Sequence, residues 1–165
     1  MMPVPAIKLF PDPVLRKPAK AVRDVRDPVV KKTIRAMEYV MRHQRHGIGI
    51  AAPQIGVSLQ IALVDVSRRV AGARPLVLIN PEILSFESEI ASREGCMSLP
   101  DYVGNLKRYE RIKIKWFGLE TGVVQVGDRS GIEAVCIQHE IDHLKGALFI
   151  DRIGCLKRDL IPRLR

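Results

Sequence analysis

Two histidines and a glutamate near the end of the chain have the spacing of a metal site. His139 and His143 are four residues apart, and Glu140 directly follows the first histidine. On an α-helix this spacing puts both imidazoles on one face, one turn apart, where they can share an ion. Glu140 lies about 100° round the helix, within reach of a water activated by that ion. This HExxH pattern is typical of zinc-type hydrolases.

A purely structural role for this helix is the alternative. The apolar stripe formed by Ile132, Val135 and Cys136 continues to His139, so the predicted helix turns its histidines toward the interior. A core helix with two hydrogen-bonded histidines and a solvated glutamate would have the same pattern. Burying two imidazoles and a carboxylate without a purpose costs free energy, which favours the metal site.

A third protein ligand is needed, because a catalytic site of this type has three protein ligands and one open position. In the longer pattern HExxHxxGxxH the third ligand is a histidine, but the corresponding residue here is Phe149. No glutamate follows His143, so the ligand must come from upstream. The candidates are His43, His46, Glu94 and Cys96. Cys96 is preferred, because thiolates bind such metals tightly and this cysteine lies in a turn-like stretch, SREGCMSLP.

The composition is that of an ordinary globular protein, with 47% apolar and 27% charged residues. A chain of 165 residues can form a core of its own, so we expect a single domain over residues 1–165. No run of eighteen apolar residues occurs, and no membrane span is expected. Three widely separated cysteines argue against a disulfide framework and for a reducing compartment. We expect a cytoplasmic protein, or an organellar one if a targeting segment was removed.

The net charge of +9 has two interpretations. One is a polyanionic neighbour such as ribosomal RNA, and the other is a basic surface facing water. The second is favoured, because lysines and arginines are spread along the chain and no aromatic-interleaved nucleic-acid motif accompanies them.

Helices are predicted near both ends of the chain. Residues 11–18, PDPVLRKP, indicate a short helical turn between prolines. Asp27 as N-cap and Pro28 as first residue predict a helix that runs to about His46, with His43 and His46 exposed at its polar end. Later in the chain, the pattern formed by Ser130 and Glu133 predicts a capping box at the start of the HExxH helix, and Gly146 predicts its end.

Apolar, β-branched segments between the two helices predict strands at residues 60–66, 75–83, 86–93, 111–119 and 122–128. In the fourth segment Ile112, Ile114 and Trp116 alternate with lysines, which indicates one buried face. The expected fold is α+β, with mixed or antiparallel sheets packed around a central HExxH helix and with an N-terminal helix.

A glycine-rich stretch, GIGIAAPQIG, occupies residues 47–56. Two glycines separated by one residue allow the backbone to approach a ligand closely. A phosphate loop is excluded, because no GK[ST] ending follows and no strand precedes the glycines. Gln54 is either a hydrogen-bond donor inside a site or a turn residue facing water.

Three motifs stand in a fixed order: GIGIAAPQ at 47–54, EGCMS at 94–98 and QHEIDHL at 138–144. Together they resemble the motifs of the peptide deformylases, GxGxAAxQ, EGCxS and HExDHL. PDPVLR at 11–16 resembles the opening of that family, so the resemblance spans most of the chain. It implies an enzyme that removes the formyl group from the N-terminal formylmethionine of new polypeptides.

The resemblance also implies roles for individual residues. The metal ligands would be Cys96, His139 and His143, and Glu140 would be the general acid and base. Gln54 and the backbone N–H of Met97 would hold the oxyanion, although leucine is common in the family at position 97. The expected ion is Fe²⁺, with Zn²⁺ or Ni²⁺ as alternatives.

For the substrate, an N-formylmethionyl peptide, the Gly47–Ile48–Gly49 backbone would pair with the chain like an added strand. Glu94 is expected among the substrate-binding residues of its motif. Candidates to line the methionine pocket are Ile48, Ile132, Val135 and Cys136, and plain core packing is the alternative for them. Many members also have an arginine shortly after EGCLS that meets the substrate backbone, where this chain has Val103, with Lys107 and Arg108 further on.

We expect a monomer without a membrane partner, with docking on the ribosome through the basic residues 157–165 as a further possibility. Two other functions compete with deformylation. A metal-dependent endopeptidase would cleave blocked peptides that lack a formyl group, but the chain has no downstream ligand of that class. A non-catalytic metal-binding or RNA-binding protein would bind ribosomes with a steep salt dependence, but it would not need both Glu140 and Gln54.

Overall fold

An antiparallel sheet and the helices packed on it form an α+β fold, which confirms the expected class. The structure is a computed structural model that describes residues 5–44 and 47–163. In chain order the elements are α1 (Pro28–His43), β1 (Gly49–Ala51), β2 (Ile61–Val64), β3 (Leu76–Cys96), β4 (Leu99–Phe117), β5 (Val124–Ser130), α2 (Gly131–Leu144), α3 (Leu156–Asp159) and β6 (Leu160–Pro162). Short 3-10 turns lie at Pro13–Arg16, Ala52–Ile55 and Phe149–Arg152.

The strands follow one another across the sheet in the order β1-β2-β3-β4-β5, and each neighbouring pair is antiparallel. The sixth strand, β6, pairs with the beginning of β4. β1 is at one end of this order, so its outer edge has no strand beside it in the described part of the chain. Cys96 of β3 pairs with Leu99 of β4 across a two-residue connection, which places the cysteine at a tight turn.

Helix α1 begins as its sequence predicts. The Asp27 carboxylate accepts a hydrogen bond from the Val29 N–H at 2.8 Å, and Pro28 is the first helical residue. The helix ends at His43, which is exposed as expected, and His46 lies outside the described residues. The side chains that α1 buries pack with residues from β1, β2 and β3 and include Val30, Ile34, Met37 and Met41.

Helix α2 packs its apolar side chains against β2, β3 and β4, in a core that includes Ala62, Leu78, Ile114, Ile137 and Ile141. The predicted capping box is wrong. Ser130 is the N-cap but its side chain makes no capping hydrogen bond, and the Glu133 carboxylate lies 3.4 Å from Arg129 instead. The end of the helix is as predicted, because Gly146 has a φ of +75° just beyond Leu144, a conformation that glycine adopts without strain.

The predicted strands lie where strands are found, but their lengths differ from those in the structure. The two segments predicted at 75–83 and 86–93 form the single strand β3, which is bent by register shifts at Ile79/Glu82 and Ile83/Ser85. The segment predicted at 111–119 is the second half of β4, and its side chains Ile112, Ile114 and Trp116 are buried as expected. In the described ranges no helix is both long and apolar enough to cross a membrane.

Candidate active site

Three potential metal ligands from distant parts of the chain meet in the interior. The ligand atoms of Cys96, His139 and His143 all lie within 4.8 Å of one another, and Cys96 Sγ is 3.2 Å from His143 Nε2. The cysteine comes from the turn between β3 and β4, whereas both histidines project from α2 with ring centroids 5.0 Å apart. A thiolate and two imidazoles are the donor set that zinc, iron and similar divalent metals prefer.

The ring nitrogens of the two histidines are in a state that suits metal binding. His139 uses Nδ1 to donate a hydrogen bond to Glu94, which leaves Nε2 as its ligand atom. Burial lowers the pKa of His143 well below its usual range, so its ring is neutral, as metal binding requires. Among the described residues, His143 Nδ1 and Glu140 Oε2 are buried polar atoms without a hydrogen-bond partner. The close approach of a sulfur and two imidazoles, with an unpartnered carboxylate oxygen of Glu140 in the same core, fits a divalent metal.

Glu94 lies behind the cluster, in a buried ionic network. Its carboxylate accepts hydrogen bonds from Arg108 Nε at 2.7 Å, from Arg108 Nη2 at 2.9 Å and from His139 Nδ1 at 2.8 Å. Arg108 Nη1 also donates to Asp142 at 2.7 Å, and Asp142 accepts a further bond from Arg152. Burial raises the pKa of Glu94, but the bonds from Arg108 and His139 outweigh burial and lower the pKa to about 2.

Glu94 was expected among the substrate-binding residues, and in the structure its carboxylate has other partners. Although Glu94 borders the cleft, both of its carboxylate oxygens are engaged by Arg108 and His139 rather than available to a substrate. Arg108 and Asp142 were not among the site residues predicted from the sequence. The signal in the sequence was weak, since Arg108 lies between Lys107 and Tyr109 in a polar segment of β4.

Glu140 is buried directly against the glycine stretch. A Cβ atom added to Gly49 would overlap both Glu140 Oε1 and Cys136 Sγ, so a side chain at position 49 would displace them. Burial raises the pKa of the Glu140 carboxyl to about 7, and His139 partly opposes this rise. A carboxyl with a pKa near neutrality is suited to accept and return a proton.

Gln54 is also buried, with 1% of its surface exposed, so it does not face water. Its Oε1 accepts a hydrogen bond from the Ala51 N–H at 2.9 Å, which fixes the amide and points the NH₂ group inward. Its Nε2 lies 3.5 Å from Cys96 Sγ and 3.2 Å from Ser98 Oγ. The amide N–H therefore stands beside the candidate metal ligands.

A cleft of about 860 Å³ opens onto this cluster. Most of the candidate site residues from the sequence line it: Gly47, Ile48, Gly49, Gln54, Glu94, Cys96, Met97, Ile132, Val135, Cys136, His139 and Glu140, whereas the buried His143 does not. The exposed His43 is not among the lining residues. Gly95 and Arg163 also line the cleft and were not among the residues predicted for the site.

Comparisons with known proteins identify the family of this chain. The family model described as polypeptide deformylase matches residues 4–159. A peptide deformylase of Thermodesulfovibrio yellowstonii is 41% identical over 98% of this chain and 96% of its own length. One from Agrobacterium fabrum is 39% identical over 97% of this chain and 93% of its own length.

Solved structures are similar over the same span. The crystal structure of peptide deformylase from Thermotoga maritima is 40% identical and superposes with a TM-score of 0.84, covering 93% of this chain and all of that one. A Met-Ala-Ser-bound deformylase from Acinetobacter baumannii is 32% identical with a TM-score of 0.84, covering 93% of this chain and all of that one. The chain therefore belongs to the peptide deformylase family, metal-dependent hydrolases that remove the N-formyl group from newly made polypeptides.

Proposed function

We propose that the cleft is the deformylation site of a single catalytic domain, residues 1–165, built around α2. Cys96, His139 and His143 would hold one divalent ion. The observation that carries this proposal is the approach of their three ligand atoms to within 4.8 Å of one another. When bound, the ion would supply Lewis acidity and lower the pKa of water at the site.

Glu140 is proposed as the proton carrier of the reaction. Its carboxylate accepts a proton from the attacking water and then delivers that proton to the departing amine of methionine. Its burial and its pKa of about 7 support this role, because the group can both take up and give back a proton near neutral pH.

Gln54 and the backbone N–H of Met97 are proposed to stabilise the negative charge that develops on the formyl oxygen. The amide is already oriented by its bond to the Ala51 N–H, so it needs no reorganisation when the charge develops. A neutral amide also adds no charge beside the thiolate of Cys96.

Gly47–Ile48–Gly49 is proposed to pair with the substrate backbone. The outer edge of β1, which begins at Gly49 and has no strand beside it among the described residues, supports this mode of binding, because an extended peptide can add to such an edge. The methionine side chain would pack against the apolar wall of the cleft that is formed by Ile48, Ile132, Val135 and Cys136. The Met-Ala-Ser-bound relative supports a short peptide as the occupant. For Glu94 we propose orientation of His139 instead of substrate contact.

Fe²⁺ is the proposed ion in the cell, with Zn²⁺ or Ni²⁺ as substitutes, and the cytoplasm is the proposed compartment. We further propose a monomer that meets N-formylmethionyl chains near the ribosome, where the basic residues 157–165 could face RNA. The first experiment strips the metal with a chelator, reloads Fe²⁺, Zn²⁺ or Ni²⁺, and measures formate release from formyl-Met-Ala-Ser.

Reloaded protein should regain activity, and the iron form should lose it faster in air than the nickel form, because iron promotes oxidation of the thiolate ligand. Full activity in chelator-treated protein without added metal would contradict the proposal. Equal lifetimes of the iron and nickel forms would contradict the picture of a thiolate on ferrous iron.

A further inference from the structure

The residue that follows the C-terminal strand β6, Arg163, places a positively charged side chain at the rim of the cleft. β6 pairs with β4 through Tyr102↔Pro162 and Val103↔Ile161, and the Arg163 N–H donates to the Asp101 carbonyl at 2.7 Å. These backbone bonds hold the residue that follows the strand, Arg163, whose side chain lines the cleft. The tail is therefore part of the site's wall.

The guanidinium of Arg163 reaches across β4 to Gly95. A Cβ atom added to Gly95 would overlap Arg163 Nη2, and the same position is 3.5 Å from Val103 Cγ1. The arginine side chain thus passes the small Val103 and ends in the space that a side chain at position 95 would fill. Gly95 directly precedes the candidate ligand Cys96, so the charge stands one residue from the metal site.

The N–H groups of the Arg163 guanidinium are available to donate hydrogen bonds to a ligand. Among the described residues Arg163 takes part in none of the ion pairs present, whereas the buried Arg108 is saturated by Glu94 and Asp142. A planar guanidinium offers five N–H donors and no acceptor. At the wall of a cleft that holds a peptide, the matching group is a carbonyl or carboxylate oxygen of that peptide.

We propose that Arg163 binds a backbone carbonyl of the substrate one or two residues beyond the methionine. The inference rests on the proposed function and adds a determinant of substrate length to it. An extended chain advances roughly 3.3 Å per residue, so a peptide with its formyl group at the cluster passes Gly95 soon after its first side chain. Formyl-Met amide has no carbonyl beyond the methionine, so it cannot make this contact.

The test compares two C-terminally amidated substrates, formyl-Met-Ala-Ser amide and formyl-Met amide, in steady-state kinetics. Arg163→Met should raise KM for the tripeptide about tenfold with kcat unchanged, because one charge-assisted hydrogen bond is lost. KM for formyl-Met amide should change less than about twofold. Arg163→Lys keeps the charge and should restore part of the tripeptide affinity. Arg158→Met is the matched control, since Arg158 lies in the same tail, pairs with Asp159 and does not line the cleft.

An unchanged tripeptide KM in Arg163→Met, or an equal rise for both substrates, would overturn the inference. The free-acid tripeptide formyl-Met-Ala-Ser is measured as a third substrate. A rise in KM seen only with this free acid would also overturn the inference, since the partner of Arg163 would then be a terminal carboxylate. These outcomes are separate from a failure of the proposed function, which would appear as no formate release by the wild-type protein from either substrate.

Discussion

His139 Nδ1 donates a hydrogen bond of 2.8 Å to Glu94 Oε2, and this contact fixes which nitrogen of the ring faces the metal site. Arg108 in turn holds both oxygens of Glu94 from behind. The orientation of a candidate metal ligand thus depends on a buried arginine that does not line the cleft. Partners of this kind commonly tune both affinity and activity of metal sites.

Replacing Arg108 should damage stability and metal binding together. Arg108→Met leaves the carboxylates of Glu94 and Asp142 buried without their shared cation, which should lower the free energy of unfolding by about 3–5 kcal/mol. Arg111→Met is the control, because Arg111 forms an exposed pair with Glu87 and its loss should cost below about 1 kcal/mol. Urea unfolding and metal titration measure both effects. Equal losses in the two variants would refute the role given to Arg108.

A methyl group at position 49 should abolish most of the activity. In Gly49→Ala the added Cβ overlaps Glu140 Oε1 and Cys136 Sγ, so the carboxylate must move. Displacement by about 1 Å can cost on the order of 10² in rate. Gly154→Ala is the control, because nothing lies within 4 Å of its added Cβ. Formate release with one formyl-Met tripeptide gives the comparison, and wild-type activity in Gly49→Ala would show that Glu140 does not need its present position.

Removing the amide of Gln54 should slow the chemical step. In Gln54→Leu we expect kcat to fall by about 10²–10³ with little change in KM, since the donor acts on charge that appears only in the transition state. Metal content and the thermal unfolding midpoint separate this role from the structural bond to the Ala51 N–H. A higher KM at unchanged kcat would instead identify Gln54 as a ground-state contact.

The motifs that carry chemistry were predictable because each is local in sequence. The spacing of His139 and His143 defines a helix face, and counting metal ligands leads upstream to a few candidates, among which the chemistry of a thiolate favours Cys96. The network behind them was not predictable, since Arg108 meets Glu94 and Asp142 only after β4 and α2 pack together. A buried arginine in a polar strand has no local signature.

The same distinction holds for the fold. Asp27 and Pro28 define the start of α1 through contacts within a few residues, and that prediction is confirmed. The extent of β3 was missed because Ser85, at one of its register shifts, lies between two apolar segments that were predicted as separate strands. β6 was missed because a three-residue strand depends on its partner β4 and not on its own sequence.

Asp151 should make the free energy of unfolding depend on pH in the acidic range. Burial raises the pKa of Asp151, but hydrogen bonds from Arg16 and from the Leu148 N–H outweigh it and lower the pKa. The carboxylate therefore stabilises the fold above its usual titration range, and this contribution is lost as the pH falls through the lowered pKa.

Asp151→Asn should reduce stability near neutral pH by up to about 1 kcal/mol, and the difference from wild type should shrink toward about pH 3. Urea midpoints across that range test it, with Glu120→Gln as the exposed control. A difference that stays constant with pH would mean that the Asp151 charge contributes nothing.

The most direct test measures metal content and formate release side by side in wild type, Glu140→Ala and Cys96→Ala. We predict one ion per wild-type chain, the same ion retained in Glu140→Ala with formate release lower by about 10²–10⁴, and loss of the ion in Cys96→Ala. Undiminished turnover by Glu140→Ala, or a tightly held ion in Cys96→Ala, would contradict the assignment of this cluster as the catalytic metal site.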